Sequence, residues 1–141
     1  MTPPFERTTC GCKDDIENCR VQPGCLIPGD AERISEFLGM PAEPFLWASP
    51  GAVIAVQDGG VVRVGTITPR AVTGGCVFLQ DDGRCRIHRV APAGCAYFDM
   101  HMDHAEGMRR AVWVVQQQME PEYQALRATL PLATSYRPRI T

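Results

Sequence analysis

Three regimes of hydrophobic and polar patterning succeed one another along the chain. Residues 10–25 show no apolar period; Cys10, Cys12, Cys19 and Cys25 stand among polar residues, with Gly11, Pro23 and Gly24. Burial cannot hold such a stretch, whereas metal ligation supplies folding energy where a core does not. From Asp30 the pattern turns helical. Ile34, Phe37 and Leu38 share one face, Asp30 is placed to cap the helix after Pro28-Gly29, and Gly39 is the expected stop. Pro41, Pro44 and Pro50 then mark a loop. Residues 53–56 and 61–67, on either side of Gln57-Asp-Gly-Gly60, read as a β-hairpin ended by Pro69.

A second hairpin is expected from Val77-Phe-Leu79 and Arg84-Cys-Arg-Ile-His88 around Asp82-Gly83. With a two-residue turn there, Gln80 opposes Cys85 and Phe78 opposes Ile87. Cys76 and Cys85 then share a face of the ribbon but stand about 13 Å apart along it. One ion reaches both only if the chain bends, and Gly74-Gly75 is the expected place. The last third is helical. Asp103 and Glu106 have capping-box spacing, and Met108, Ala111, Val112, Val115 and Met119 form an apolar stripe. Pro121 opens a shorter helix through Leu130, with Tyr123, Leu126 and Leu130 on one side. The expectation is a small α+β fold with residues 1–141 as a single domain. Its cysteine-rich loops pack on a short β-hairpin region with two or three helices, and residues 1–9 and 131–141 are tails.

Composition changes this picture in one respect. Of 141 residues, 45% are hydrophobic and 21% charged, enough for an ordinary core, but seven are cysteines. An odd count cannot pair completely. The start Met1-Thr-Pro-Pro-Phe-Glu-Arg7 has no apolar signal core, and the apolar run 51–56 is too short to span a bilayer. The expected setting is therefore soluble and cytoplasmic, with no membrane partner, where structural disulfides are rare. The 14 basic and 16 acidic residues are interspersed, net −2, with no basic stripe to meet phosphates, so no nucleic acid is expected.

The cysteines fall into two groups, C-x-C-x6-C-x5-C at 10–25 and C-x8-C-x9-C at 76–95. Thiolates are soft ligands for zinc, copper(I) and iron–sulfur centres. Neither spacing is that of a zinc finger or a common ferredoxin, so count and clustering point to metal without selecting which one.

Three stretches carry a resemblance. They are Cys10-Gly-Cys12 with Cys19-Arg-Val-Gln-Pro-Gly24 and Pro28-Gly-Asp-Ala-Glu-Arg-Ile34; Cys76-Val-Phe-Leu79 with Gly83-Arg-Cys85-Arg-Ile-His88; and Pro92-Ala-Gly-Cys95 with Phe98-Asp-Met-His101. In this order, over about half the chain, they resemble the YkgJ-type (CxxCxxCC-like) cysteine-cluster family, described as zinc- or iron-chelating. The resemblance implies Cys10, Cys12, Cys19, Cys76, Cys85 and Cys95 as metal ligands, tying the N-terminal segment to the hairpin region. Asp15 stands where such relatives often carry another cysteine and is a candidate oxygen ligand. Cys25 is either a further ligand or a spectator thiol. Val90-Ala-Pro92 replaces the usual Arg-Pro and Ala96 replaces an Arg, which removes any part those arginines play.

His101 is the better histidine candidate, as ligand or as a hydrogen-bonding neighbour; His88 reads as an exposed strand-end residue, and His101 and His104, at i, i+3 before the helix start, lack the His-Glu-x-x-His pattern of a zinc hydrolase. Asp99 and Asp103 read as caps, Gly59-Gly60 and Gly74-Gly75 as turns, and Trp47 and Trp113 as fillers of core or groove. The expected cofactor is zinc or an iron–sulfur cluster, in a structural or electron-carrying role, with the metal ion and a protein partner as interactants. The alternatives are an iron–sulfur-dependent modifying enzyme, and a thiol-redox sensor if Cys25 is exposed and reactive.

Overall fold

The computed structural model describes residues 5–6, 23–55, 59–72, 75–98 and 101–133. Helix α1, Asp30–Leu38, is bounded by Gly29 and Gly39, both at the positive φ that glycine reaches without a Cβ clash. Its side-chain pattern differs from the reading in two places. Asp30 is the first helical residue and caps nothing in α1, and Phe37 is exposed, leaving Ile34 and Leu38 to face the core.

Strand β1, Leu46–Ala55, pairs antiparallel with β2, Val61–Pro69, so that Leu46 faces Pro69 and Ala55 faces Val61. The hairpin thus starts well before residue 53. Pro50, expected in a loop, lies inside β1 at a bulge, where Ser49 faces Thr66 but Ala52 faces Val64. Proline lacks a ladder donor and fits a strand only where the ladder is broken. Gly51 beside it has φ 80°, and a Cβ there would collide with the Val64 carbonyl oxygen.

Short strands β3, Ala71–Val72, and β4, Gly75–Cys76, form a second antiparallel ribbon. Helices α2, Ala93–Ala96, α3, His104–Gln118, and α4, Pro121–Ala128, complete an α+β fold. After α4 the chain returns to the hairpin. The Ala48 N–H donates to the Pro131 carbonyl at 2.8 Å and the Ala133 N–H to the Ala48 carbonyl at 2.9 Å, so residues 131–133 dock instead of trailing. Among the described residues no helix is long and apolar enough to cross a membrane.

Leu26 and Ile27, adjacent in the chain, enter different apolar clusters. Leu26 packs with Ile34, Leu46, Ile67, Phe78 and Ile87, and Ile27 with Ala93, Ala96, Tyr97 and Val114. The Tyr123 hydroxyl joins the first cluster, accepting from the Ile67 N–H and donating to the Leu26 carbonyl, each at 2.8 Å. Phe5, in the stretch expected to be a tail, belongs to the second cluster. Its ring lies 5.4 Å from that of Trp113 and 6.2 Å from that of Tyr97, edge-on, with the Arg109 and Arg110 guanidinium groups 4.8 and 4.9 Å away.

The α3 stripe is rotated from its expected face. Val114, Val115 and Gln118 are buried, while Met108, Val112 and Met119 are exposed. Gln118 accounts for the rotation: its amide nitrogen donates to the Leu26 carbonyl at 2.9 Å, drawing a polar residue inward. The capping box does not close either. Glu106 accepts instead from Arg109 and Arg110, at 2.6 and 2.9 Å.

Candidate functional site

The second hairpin forms one register away from the reading. The Gln80 N–H donates to the Arg84 carbonyl at 2.8 Å, and Leu79, not Gln80, bridges Cys85. The loop is therefore the three residues Asp81-Asp82-Gly83. Asp82 Oδ1 accepts from the Arg84 N–H at 2.9 Å and Gly83 has φ 84°, which together favour three residues over two.

This loop and two turns assemble the cysteines. Cys76 ends β4, and its carbonyl accepts from the Leu79 N–H at 2.9 Å, so the chain turns at once through Val77-Phe78. The expected bend is earlier, at Gly74-Gly75, of which Gly74 lies outside the described residues; the described turn falls after Cys76 instead. Cys85 opens a similar turn, its carbonyl accepting from the His88 N–H at 3.2 Å. Cys95 sits on α2, its N–H donating to the Pro92 carbonyl at 2.8 Å. The three cysteines, from three separate elements, line one cavity of about 10 Å³ walled by Pro23, Pro69, Pro92, Phe78, Leu79 and Ile87. Such a volume admits roughly one water-sized body. Among the described residues no three His, Cys, Asp or Glu side chains already form a coordination group.

A crossing of two glycines fixes the cavity edge. A Cβ on Gly24 would strike Cys95 Sγ and lie 2.7 Å from its nitrogen; a Cβ on Gly94 would strike the Cys25 nitrogen and lie 3.0 Å from the Gly24 carbonyl carbon. Each glycine makes room for the other segment's cysteine, and the Gly94 N–H donates to the Cys25 carbonyl at 2.8 Å. Asp30 ties the same two segments. Its buried Oδ2 accepts from the Ile27 N–H at 2.9 Å and from the Ala93 N–H, at the start of α2, at 3.0 Å, while Oδ1 takes Arg33.

Cys25 does not line the cysteine cavity; it lines a second, larger one. Burial pushes its thiol up, with Asp30 adding to the rise and a hydrogen bond from Gln118 opposing it. A protonated thiol is a poor nucleophile, the opposite of what a redox sensor requires. His101 is exposed in the turn before α3, and His88 and His104 are exposed too. Cys10, Cys12, Asp15 and Cys19 lie outside the described residues. Trp47 is buried against the hairpin, its Nε1 donating to Thr68 Oγ1 at 2.9 Å, and Trp113 stacks edge-on with Phe5 and Tyr97.

Compared with family models, with curated proteins and with solved structures, the chain matches none. What the sequence reading did not assign is the role of the walls and ties: Pro23 and Pro92 in the cavity wall, Gly24 and Gly94 at the crossing, and Asp30 as a link between two segments. One signal for them is present, the repeated dipeptide Gly24-Cys25 and Gly94-Cys95, whose members cross.

Proposed function

We propose that this is a metal-binding protein, with zinc or an iron–sulfur centre held by cysteine thiolates from the N-terminal segment and from residues 76–95, in a structural or electron-carrying role. The observation that carries the reading is the convergence of Cys76, Cys85 and Cys95 on one proline-walled cavity. Pro23, in that wall, follows Cys19 by four residues, and an extended chain of that length reaches at most about 14 Å. Both flanks of the segment bearing Cys10, Cys12 and Cys19 are anchored beside Cys95: Phe5 on Tyr97, and Gly24 on Cys95 itself. Three soft thiols around a water-sized space fit a thiophilic ion by donor chemistry and by size. The resemblance to the YkgJ-type cysteine-cluster family supports the same six ligands. A cytoplasmic, reducing setting would keep thiols available, and the ion would supply folding energy to a segment whose sequence has no apolar period.

The test is the zinc, iron and acid-labile sulfide content of chain purified without oxygen or added metal, for wild type and for C25S, C76S, C85S and C95S. Wild type and C25S should carry the same metal, and each of the other three should lose most of it. Wild type free of zinc and iron, with all thiols titrating, would sink the proposal, and so would a C25S protein as depleted as C95S.

A further inference from the structure

The methionines and histidines cluster as the cysteines do. Three of the six methionines and two of the three histidines fall within residues 100–108, as Met100-His-Met-Asp-His104 and Met108. Of these, only His101 is a candidate for the cysteine centre. Met100 lies outside the described residues; the others stand at the start of α3. The Gly107 N–H donates to the Asp103 carbonyl at 2.9 Å, so the helix is regular from its first turn. His104 and Met108, at i and i+4, then share a face with their Cβ atoms about 5–6 Å apart. Met102 joins them there. Its Sδ lies 3.9 Å from where a Cβ on Gly107 would stand, and Gly107 neighbours His104 at i+3 on the same face.

Ordinary packing does not account for this arrangement. Met102 directly precedes Asp103 at the helix cap, the place from which an apolar side chain staples onto the fourth helical residue. That residue is Gly107, which has no side chain to meet it and is a poor helix former. Met102 is half-buried, Met108 is 52% exposed and His104 is exposed, so all three side chains reach solvent. Glu106, in the same turn, is committed to Arg109 and Arg110. Two thioethers and an imidazole make a soft, uncharged donor set, which suits copper(I); zinc instead takes thiolate, imidazole and carboxylate. We propose that Met102, His104 and Met108 form a binding site for a soft monovalent cation, copper(I), on the first turns of α3. The site is separate from the cysteine cavity, whose thiolates are the stronger donors and fill first.

Silver(I), a redox-inert stand-in for copper(I), tests the site on the full chain carrying carbon-13 in its methionine ε-methyl groups. The titration runs by NMR, without oxygen, and past the measured thiol content. The Met102 and Met108 methyl signals and the His104 imidazole signals should move together and saturate with a single further equivalent. Met40 and Met119 are the internal control, being 45% and 51% exposed like Met108. With one donor each, they should bind at least about tenfold more weakly. His104→Gln, Met102→Leu and Met108→Leu, of similar volume, should each weaken silver binding about tenfold while the spectrum stays dispersed. Zinc in a parallel titration should leave the Met102 and Met108 methyl signals in place. Because each signal belongs to a named residue of α3, the outcome does not depend on whether the cysteines hold metal. Four results would overturn the proposal. These are no saturating movement at Met102 and Met108, equal binding at Met40 and Met119 (an adventitious ion only), unchanged binding in a folded His104→Gln chain, or an equal response to zinc.

Discussion

One carboxylate, on Asp30, serves donors from three places: Ile27 before α1, Arg33 within it, and Ala93 at the start of α2. The two backbone donors are buried, so removing the carboxylate leaves both without an acceptor. Asp30→Ala should therefore cost about 2–4 kcal/mol in urea unfolding, while Asp30→Asn, which keeps one oxygen in place, should cost about 1 kcal/mol. Equal losses would mean that the backbone donors find other partners. The pair also has a pH signature. Burial pushes the Asp30 carboxyl above the ordinary aspartate value, with the two backbone donors and Arg33 opposing. The native state then binds this proton more tightly than the unfolded chain does. The contribution is present in full below the ordinary value and is lost as pH rises through the native one. Asparagine does not titrate, so the stability gap between wild type and Asp30→Asn should narrow from pH 3 to pH 7, beginning near about 4. The sequence made Asp30 look like a local cap because Pro28-Gly29 precedes it. Ala93, its distant partner, has no local signature, which is why the true role of the residue could not be read.

Among elements, those set by local chemistry were legible. The α1 stop at Gly39, the core side of α4 with Tyr123, and the existence of the β1–β2 hairpin all follow from periodicity and turn residues, although α4 ends at Ala128 and the buried Leu130 lies just beyond it. The face of α3 did not, because its apolar residues extend around more than one side and a long-range bond from Gln118 decides the rotation. Convergence of the cysteines was half legible. The chemistry pointed to metal and the family resemblance implied one site, but a straight ribbon kept Cys76 and Cys85 apart, and the Val77-Phe78 turn that bends the chain was not foreseen. Four cysteines follow a glycine directly, Cys12, Cys25, Cys76 and Cys95, and two of those glycines, Gly24 and Gly94, form the crossing. At Gly94 the obstacle to a side chain is backbone, which cannot swing aside, so Gly94→Ala should cost about 2–3 kcal/mol. Gly39, with φ 70° and open space around it, provides the contrast: Gly39→Ala should cost about 1 kcal/mol, from φ alone. Thermal unfolding of the two variants side by side checks the ranking, and a Gly94→Ala protein no less stable than Gly39→Ala would show that the two segments do not cross closely.

Across the whole molecule, described residues on both sides of the N-terminal cysteine segment are packed in place, Phe5 in the aromatic cluster and Pro23-Gly24 at the cysteine cavity. Under the proposed metal-binding function, that arrangement would make Phe5 a lever on metal affinity although it can ligate nothing. In metal-free chain, Phe5→Ala removes a buried ring from Tyr97 and Trp113 and should cost about 3 kcal/mol. If Cys10, Cys12 and Cys19 complete the site, losing the anchor on one flank of their segment also lowers their effective concentration at Cys76, Cys85 and Cys95. Zinc should then bind Phe5→Ala about tenfold more weakly, near 1.4 kcal/mol. Because a ligand at about a hundredfold its Kd contributes about 2.7 kcal/mol to the folded state, chelation should lower the Tm of wild type by several degrees and that of the variant by less. Competition for zinc against a chromogenic chelator, run beside thermal unfolding with and without metal, separates the two effects. A variant that is less stable yet binds zinc as tightly as wild type would place the N-terminal thiols outside the site or show that Pro23-Gly24 alone delivers them. Matched losses of stability and affinity would make the aromatic anchor part of the proposed metal site's construction, with packing fixing the flanks of the cysteine segment and the ion fixing its thiols.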